Sequence, residues 1–165
     1  MSNEIIEVIL TGGRLEKVLN EEIGRLVYTD TVFKSLVEQA RCTLKFQKHA
    51  LMLKDSREIN EVDLEAIAAC AEHTAGKRVI ISHGIHTLIR TAQYLQAKEI
   101  QKTIVLFGAF VPFSLNRSDA LFNFGAAAAA VQCLPIGVHV VMNGQLSPAD
   151  KALRDPESGE FIAAE

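Results

Sequence analysis

The chain has 165 residues, with 48% hydrophobic and 22% charged side chains, values that exclude a disordered chain and fit one globular domain with a sizeable core. A formal net charge of −3 excludes nucleic-acid binding by bulk charge, and no apolar run is long enough to span a membrane. The N-terminus (Met1, Ser2, Asn3, Glu4) lacks a signal-peptide charge pattern. Cys42, Cys70 and Cys133 form no CxxC motif, so a reducing, cytoplasmic setting with three small buried hydrophobes is expected.

In chain order, Glu4 to Thr11 reads as a strand ending at Gly12-Gly13. Thr29 or Asp30 is placed to cap a helix carrying Val32, Phe33, Leu36, Val37 and Ala40. Cys42 to Met52 reads as a second strand, and Asn60 with Asp63 marks the start of a helix through Ala71. Arg78 to Ser82 and Thr103 to Phe107 are short, continuously apolar strands. The helical pattern of Thr87 to Ala97 lies between them. Asp119 to Leu134 is an alanine-rich helix, and Gly137 to Met142 is a last strand.

Continuous apolar strands separated by single helices predict an α/β fold, doubly wound around a mostly parallel five-stranded sheet, Rossmann-like or flavodoxin-like, with right-handed crossovers. The domain is expected over residues 1–146, followed by a polar surface arm over 147–165. Ligands of such sheets bind outside the carboxyl ends of the strands, here the loops 11–14, 53–57, 83–87 and 108–112.

Those loops carry Thr11-Gly12-Gly13, Ser82-His83-Gly84-Ile85-His86-Thr87 and Phe107-Gly108-Ala109-Phe110-Val111-Pro112. Ser118-Asp119-Ala120 and Val140-Val141-Met142-Asn143-Gly144 follow in order. In this order and spacing the set resembles the bacterial-type L-asparaginase family, specifically short members consisting of its N-terminal domain. The resemblance spans nearly the whole chain and is weakest over residues 15 to 52. It implies an amidohydrolase ancestry, a threonine nucleophile after the two glycines, a Thr-Asp pair after the His-Gly, and a lysine completing the relay.

This chain departs at each of those positions. Arg14 follows Gly12-Gly13, Ile85-His86 replaces the Thr-Asp pair, and Arg154 falls at the lysine. Arginine offers neither a hydroxyl nor a ready base, and isoleucine offers no polar atom. Thr11, the one hydroxyl in the glycine turn, sits one position too early and suits a strand end. The resemblance assigns carboxylate binding to Ser56 beside Asp55, with Gly13, Gly84 and Ala109 as backbone positions of the same pocket. It also implies an oligomer in which a neighbouring subunit's second domain completes the site. With the first domain alone, an open pocket is expected.

The expected function is therefore an asparaginase-like scaffold without the standard relay, binding an amino acid or other small anion. The alternative is an active amidohydrolase using His86 with Ser56 or Thr87. Arg14, His86 and Arg154, with Lys54 and Arg57, should make the sheet edge cationic. Arg14 either binds a ligand or plugs the pocket by pairing with Asp55 or Glu58. Gly12-Gly13 lacks the full GxGxxG pattern. His83 and His86 present two metal donors at most, and no metal or cofactor is expected. Asp119 reads as a helix cap and His139 as buried structure. The apolar segment Phe110, Val111, Phe113 and Leu115 is the candidate interface of a homodimer or higher homo-oligomer. No nucleic-acid or membrane partner is expected.

Overall fold

The computed structural model describes residues 4–164; Met1 to Asn3, read above for targeting, and Glu165 lie outside the described residues. In chain order the elements are β1 (Ile6–Gly12), β2 (Val18–Asn20), β3 (Arg25–Val27), α1 (Phe33–Gln39), β4 (Phe46–Lys54), α2 (Glu61–His73) and β5 (Arg78–Ser82). They continue with α3 (Leu88–Ala97), β6 (Thr103–Phe107), α4 (Ala120–Cys133), β7 (Gly137–Met142), β8 (Gln145–Pro148), β9 (Ala152–Arg154) and β10 (Phe161–Ala163).

The central sheet has six strands in the order β4-β1-β5-β6-β7-β8. Five are parallel, as expected, and β8 adds an antiparallel edge, with Met142 opposite Gln145 and His139 opposite Pro148. β1, β5 and β6 are buried on both faces, which is why β5 and β6 read as continuous apolar runs, whereas β1 carries the buried Glu7 within its apolar run. Ile9, Val79, Ile81, Ile104 and Leu106 pack with α2 and α3 on one face. Val8, Leu10, Ile80, Val105 and Phe107 pack with α1 and α4 on the other.

This division corrects the expectation that every crossover is right-handed. β5 to β6 and β6 to β7 advance in the same direction across the sheet, yet α3 covers one face and α4 the other. The β6–α4–β7 connection therefore has the opposite hand to its neighbour. To reach the far face, residues 108–119 run across the carboxyl edge of the sheet, and this path builds one wall of the pocket described below.

The expected capping of α2 is present: the Asn60 side chain accepts from the amides of Val62 (2.9 Å) and Asp63 (3.1 Å), and Asp63 accepts from the Asn60 amide (3.1 Å). The start of α1 is different. Neither Thr29 nor Asp30 caps it. The fully buried Glu16 accepts from the Val32 amide (2.7 Å) and the Thr31 hydroxyl (3.1 Å), and burial raises its pKa. A partner fifteen residues upstream of Thr31 leaves no local cap signal in the sequence.

The segment from residue 147 does not run as a polar surface arm. Ser147 lies in β8, Ala149, Ala152 and Phe161 are buried on the α2/α3 face, and β9 and β10 form an antiparallel pair. Its polar residues gather in the 155–160 turn, which made the whole stretch look exposed. The apolar loop proposed as an interface is half-buried: Phe113 packs on the core and its amide donates to Leu15 O (3.2 Å). The cysteines are free; Cys42 and Cys70 are half-buried, but Cys133, at the end of α4, is exposed rather than buried. Among the described residues, no helix is long and apolar enough to cross a membrane.

Candidate functional site

Strands β1, β4 and β5 deliver three loops to one point at the carboxyl edge. Gly13 has φ +78°, and a Cβ there would lie 2.4 Å from the Gly84 backbone. A Cβ on Gly84 would lie 2.5 Å from Ser56 Cβ. The two glycines thus let the loops touch, and the buried Ser56 closes the floor. Above it opens a cavity of about 440 Å³. Its walls are Arg14 and Lys17 on one side, Asp55 to Arg57 and Gly84 to His86 below, and Phe110 to Pro112 opposite.

Of the residues singled out from sequence, Arg14, Asp55, Ser56, Gly84, Ile85 and His86 line this cavity. Gly13 lies beneath Gly84. Ala109 is buried in the core on the α1/α4 face. Thr11 is also buried, and its hydroxyl donates to Ser82 O (2.8 Å), directed into the sheet. Arg154 sits to the side, its guanidinium 5.5 Å from the Phe110 ring centre and 5.9 Å from that of Phe161, with Nε donating to Gly159 O (2.8 Å).

The electrostatics are organised around Asp55. Arg57 donates to it through its backbone amide (3.1 Å), Nε (3.0 Å) and Nη2 (3.1 Å), and Lys17 Nζ donates at 3.0 Å. The Arg57 bonds, with Lys17 behind them, hold the carboxyl far below the usual carboxylate range. Because Asp55 is already saturated, Arg14 does not pair with it, and it does not pair with Glu58 either. Its Nη1 donates to Phe110 O (3.0 Å). Lys54 also leaves the edge, turning to Asp63 at the start of α2 (2.6 Å).

His86 is exposed at the rim. Partial desolvation lowers its pKa first, followed by repulsion from Arg57, Arg154 and Arg14, with Asp55 opposing. The adjoining Thr87 hydroxyl donates to Ser56 O (2.8 Å). His83 is fully buried, and burial pushes its pKa down to about 4. The Gly84 carbonyl can only accept, so Nδ1 carries the proton (2.8 Å) and Nε2 accepts from the Thr91 hydroxyl (2.9 Å). His83 is therefore a neutral structural group and not a metal donor. Among the described residues, no cluster of three or more His, Cys, Asp or Glu could hold a metal ion. His139 is buried in β7, its Nε2 3.2 Å from Pro135 O.

Sequence reasoning missed several of these contributors. Lys17 completes the Asp55 cluster and lies 5.3 Å from the centre of the Tyr28 ring. The Tyr28 hydroxyl is buried without a hydrogen-bond partner among the described residues, and burial, then the Asp55 charge, push its pKa up to about 12. Asp119 is not a cap: its carboxylate accepts from the amides of Phe110 (3.0 Å) and Val111 (3.0 Å) and from the side-chain amides of Asn123 (2.9 Å) and Asn143 (3.2 Å). It pins the wall of the cavity, while Ser118 Oγ accepts from the Ala120 amide (3.1 Å) at the start of α4.

Residues 5–154 match the family model described as "Asparaginase, N-terminal". The chain belongs to this family. Comparison with curated proteins finds no match. Among solved structures, the fold is similar to the thermostable L-asparaginase from Thermococcus kodakarensis (TM-score 0.84, 19% identity, covering 96% of this chain and 51% of that one). It is also similar to L-asparaginase I from Vibrio cholerae (TM-score 0.84, 20% identity, 98% and 52%). A probable cytoplasmic L-asparaginase from Campylobacter jejuni is a third neighbour (TM-score 0.81, 22% identity, 97% and 53%). The chain spans about half the length of these asparaginases.

Proposed function

We propose that this asparaginase-family domain binds a small carboxylate-bearing molecule, an amino acid or another anion, at the carboxyl edge of the sheet, and does not hydrolyse amides through threonine. The observation that carries this reading is the guanidinium of Arg14, which lines the cavity where the resemblance expects a hydroxyl. Ile85 is an apolar, buried neighbour at the second threonine position. Thr11 spends its hydroxyl proton on Ser82 O, which leaves it no part in nucleophilic attack. A rearranged hydrolase would need a hydroxyl beside His86; the Thr87 hydroxyl donates to Ser56 O instead, which leaves Ser56, in the same cavity as His86, as the one candidate for that reading.

Arg14 suits the binding role, since a guanidinium can hold a carboxylate through two parallel hydrogen bonds. Ser56 lines the same floor and supplies a hydroxyl. Three free thiols fit a reducing cytoplasm. Assembly into a homodimer or larger homo-oligomer draws support from the exposed Phe122 and Leu146, and light scattering on the eluting protein tests it; a monomer would count against it.

An ammonia-release assay with L-asparagine tests the catalytic half. No turnover above background is expected, and Thr11→Val should change nothing. Turnover abolished by Thr11→Val would overturn the reading. A thermal-shift series with carboxylates tests the binding half, because a ligand bound only by the folded state raises the midpoint. No stabilisation by any carboxylate at any concentration would remove it.

A further inference from the structure

We propose that the pocket selects a dianion, a short dicarboxylate without a free ammonium group, and rejects α-amino acids. This rests on the carboxylate-binding reading above and narrows it.

Among the described residues, Asp55 is the only carboxylate lining the cavity. An ionised carboxylate has about four lone-pair sites. Those of Asp55 face the Arg57 amide, Nε and Nη2 together with Lys17 Nζ. Nothing on that wall is left to receive the ammonium of an α-amino acid. Glu58 belongs to the adjoining cavity beside Tyr28, and Glu160 to another beyond Phe110. An incoming ammonium would therefore find no free carboxylate in the cavity and would be repelled by its cations, losing hydration without gaining a charged partner.

Two guanidiniums remain unneutralised. Arg14 spends one N–H on Phe110 O and Arg154 spends Nε on Gly159 O, and neither has an acidic group within ion-pair distance among the described residues. Both are organised by Phe110, Arg14 through its carbonyl and Arg154 against its ring. Phe110 is itself tied down by Asp119 through its amide. The two charges are thus held at a set separation before any ligand arrives, which reduces the ordering cost of binding. His86 lines the cavity with Arg14, and both guanidiniums repel its charged form. One carboxylate of the ligand fits the free edge of Arg14 within the cavity, and the second reaches past His86 toward Arg154, which stands beside the cavity against the Phe110 ring.

Isothermal titration of the full chain at one low ionic strength tests this. The probes are succinate, N-acetyl-L-aspartate, acetate, L-aspartate, L-asparagine and inorganic phosphate. Succinate and N-acetyl-L-aspartate should bind at least about tenfold more tightly than acetate or either amino acid, the scale of one added charge-assisted contact. Arg154→Gln should erase the advantage of succinate over acetate and leave acetate binding unchanged, whereas Arg14→Gln should weaken both. L-Aspartate or L-asparagine binding as tightly as succinate would overturn the exclusion of amino acids while leaving the carboxylate site standing. Phosphate binding more tightly than either dicarboxylate would overturn the dicarboxylate assignment. Absence of binding by every probe would overturn both this inference and the reading beneath it.

Discussion

His83 offers a quantitative check on how the floor of the pocket is built. Its ring is fully buried, carries its proton on Nδ1 toward Gly84 O, and accepts from Thr91 at Nε2. Charging it requires a second N–H where the Thr91 hydroxyl already donates, inside a low-dielectric core; burial brings the pKa to about 4 from an ordinary 6.5. By about pH 8, well above 6.5, both folded and unfolded chains hold it neutral, so it has no effect on pH dependence there. As pH falls, the unfolded chain binds the proton first and the folded state loses relative stability. The loss is about 2 kcal/mol at about pH 5 and levels off at about 3 kcal/mol well below about pH 4. Urea unfolding at about pH 7 and about pH 5 measures it, with His83→Asn as the comparison because its amide can still donate to Gly84 O. The wild type should lose about 2 kcal/mol more than the variant across that interval. Equal losses in the two proteins would refute the assignment of His83 as a neutral buried group.

Gly13→Ala should destabilise by about 3 kcal/mol or more, since a Cβ there meets the Gly84 backbone at 2.4 Å, whereas Gly24→Ala, at φ +63° with nothing within 4 Å, should cost only the left-handed strain of about 1 kcal/mol. Thermal melts of the two variants check the contrast. Asp119→Ala removes the acceptor of the Phe110 and Val111 amides, so hydrogen exchange at those amides should accelerate and stability should fall by about 3 kcal/mol. Anion binding should raise the depressed pKa of His86, so affinity for a dicarboxylate should increase as pH falls from about 8 to about 6, with net proton uptake in calorimetry and loss of both effects in His86→Gln.

The elements legible in the sequence are those whose burial is expressed locally. β5 and β6 are covered on both faces and show as continuous apolar runs, and β1 carries the buried Glu7 within its apolar run; α2 announces itself through Asn60 and Asp63. What escaped was set by partners distant in the chain. Glu16 anchors the start of α1, and β2 and β3 leave Leu19 and Leu26 largely exposed, so neither carries a strong strand signal. Three small or apolar residues, Ala149, Ala152 and Phe161, were enough to fold a polar-looking tail onto the core. In the pocket, placing loops at strand ends follows from topology alone. Which cation takes Asp55 does not, because Lys17, Arg57 and Arg14 are all within reach in sequence terms, and geometry assigns Arg14 to a carbonyl instead.

The opposite-handed connection links this fold to its chemistry. Had α4 followed β6 on the face of α3, residues 108–119 would have had no reason to cross the carboxyl edge. Crossing it costs a stretch of backbone without sheet or helix partners, and the buried amides must be satisfied some other way. Asp119 supplies that satisfaction at Phe110 and Val111, and Asn123 donates to Gly108 O and accepts from the Asn143 amide, tying the ends of β6 and β7 together. A rigid Phe110 can then hold Arg14 by its carbonyl and Arg154 by its ring. The net charge of −3 belongs to the rest of the surface, while this edge stays cationic and open to solvent, a distribution that draws a small anion toward the pocket from a distance.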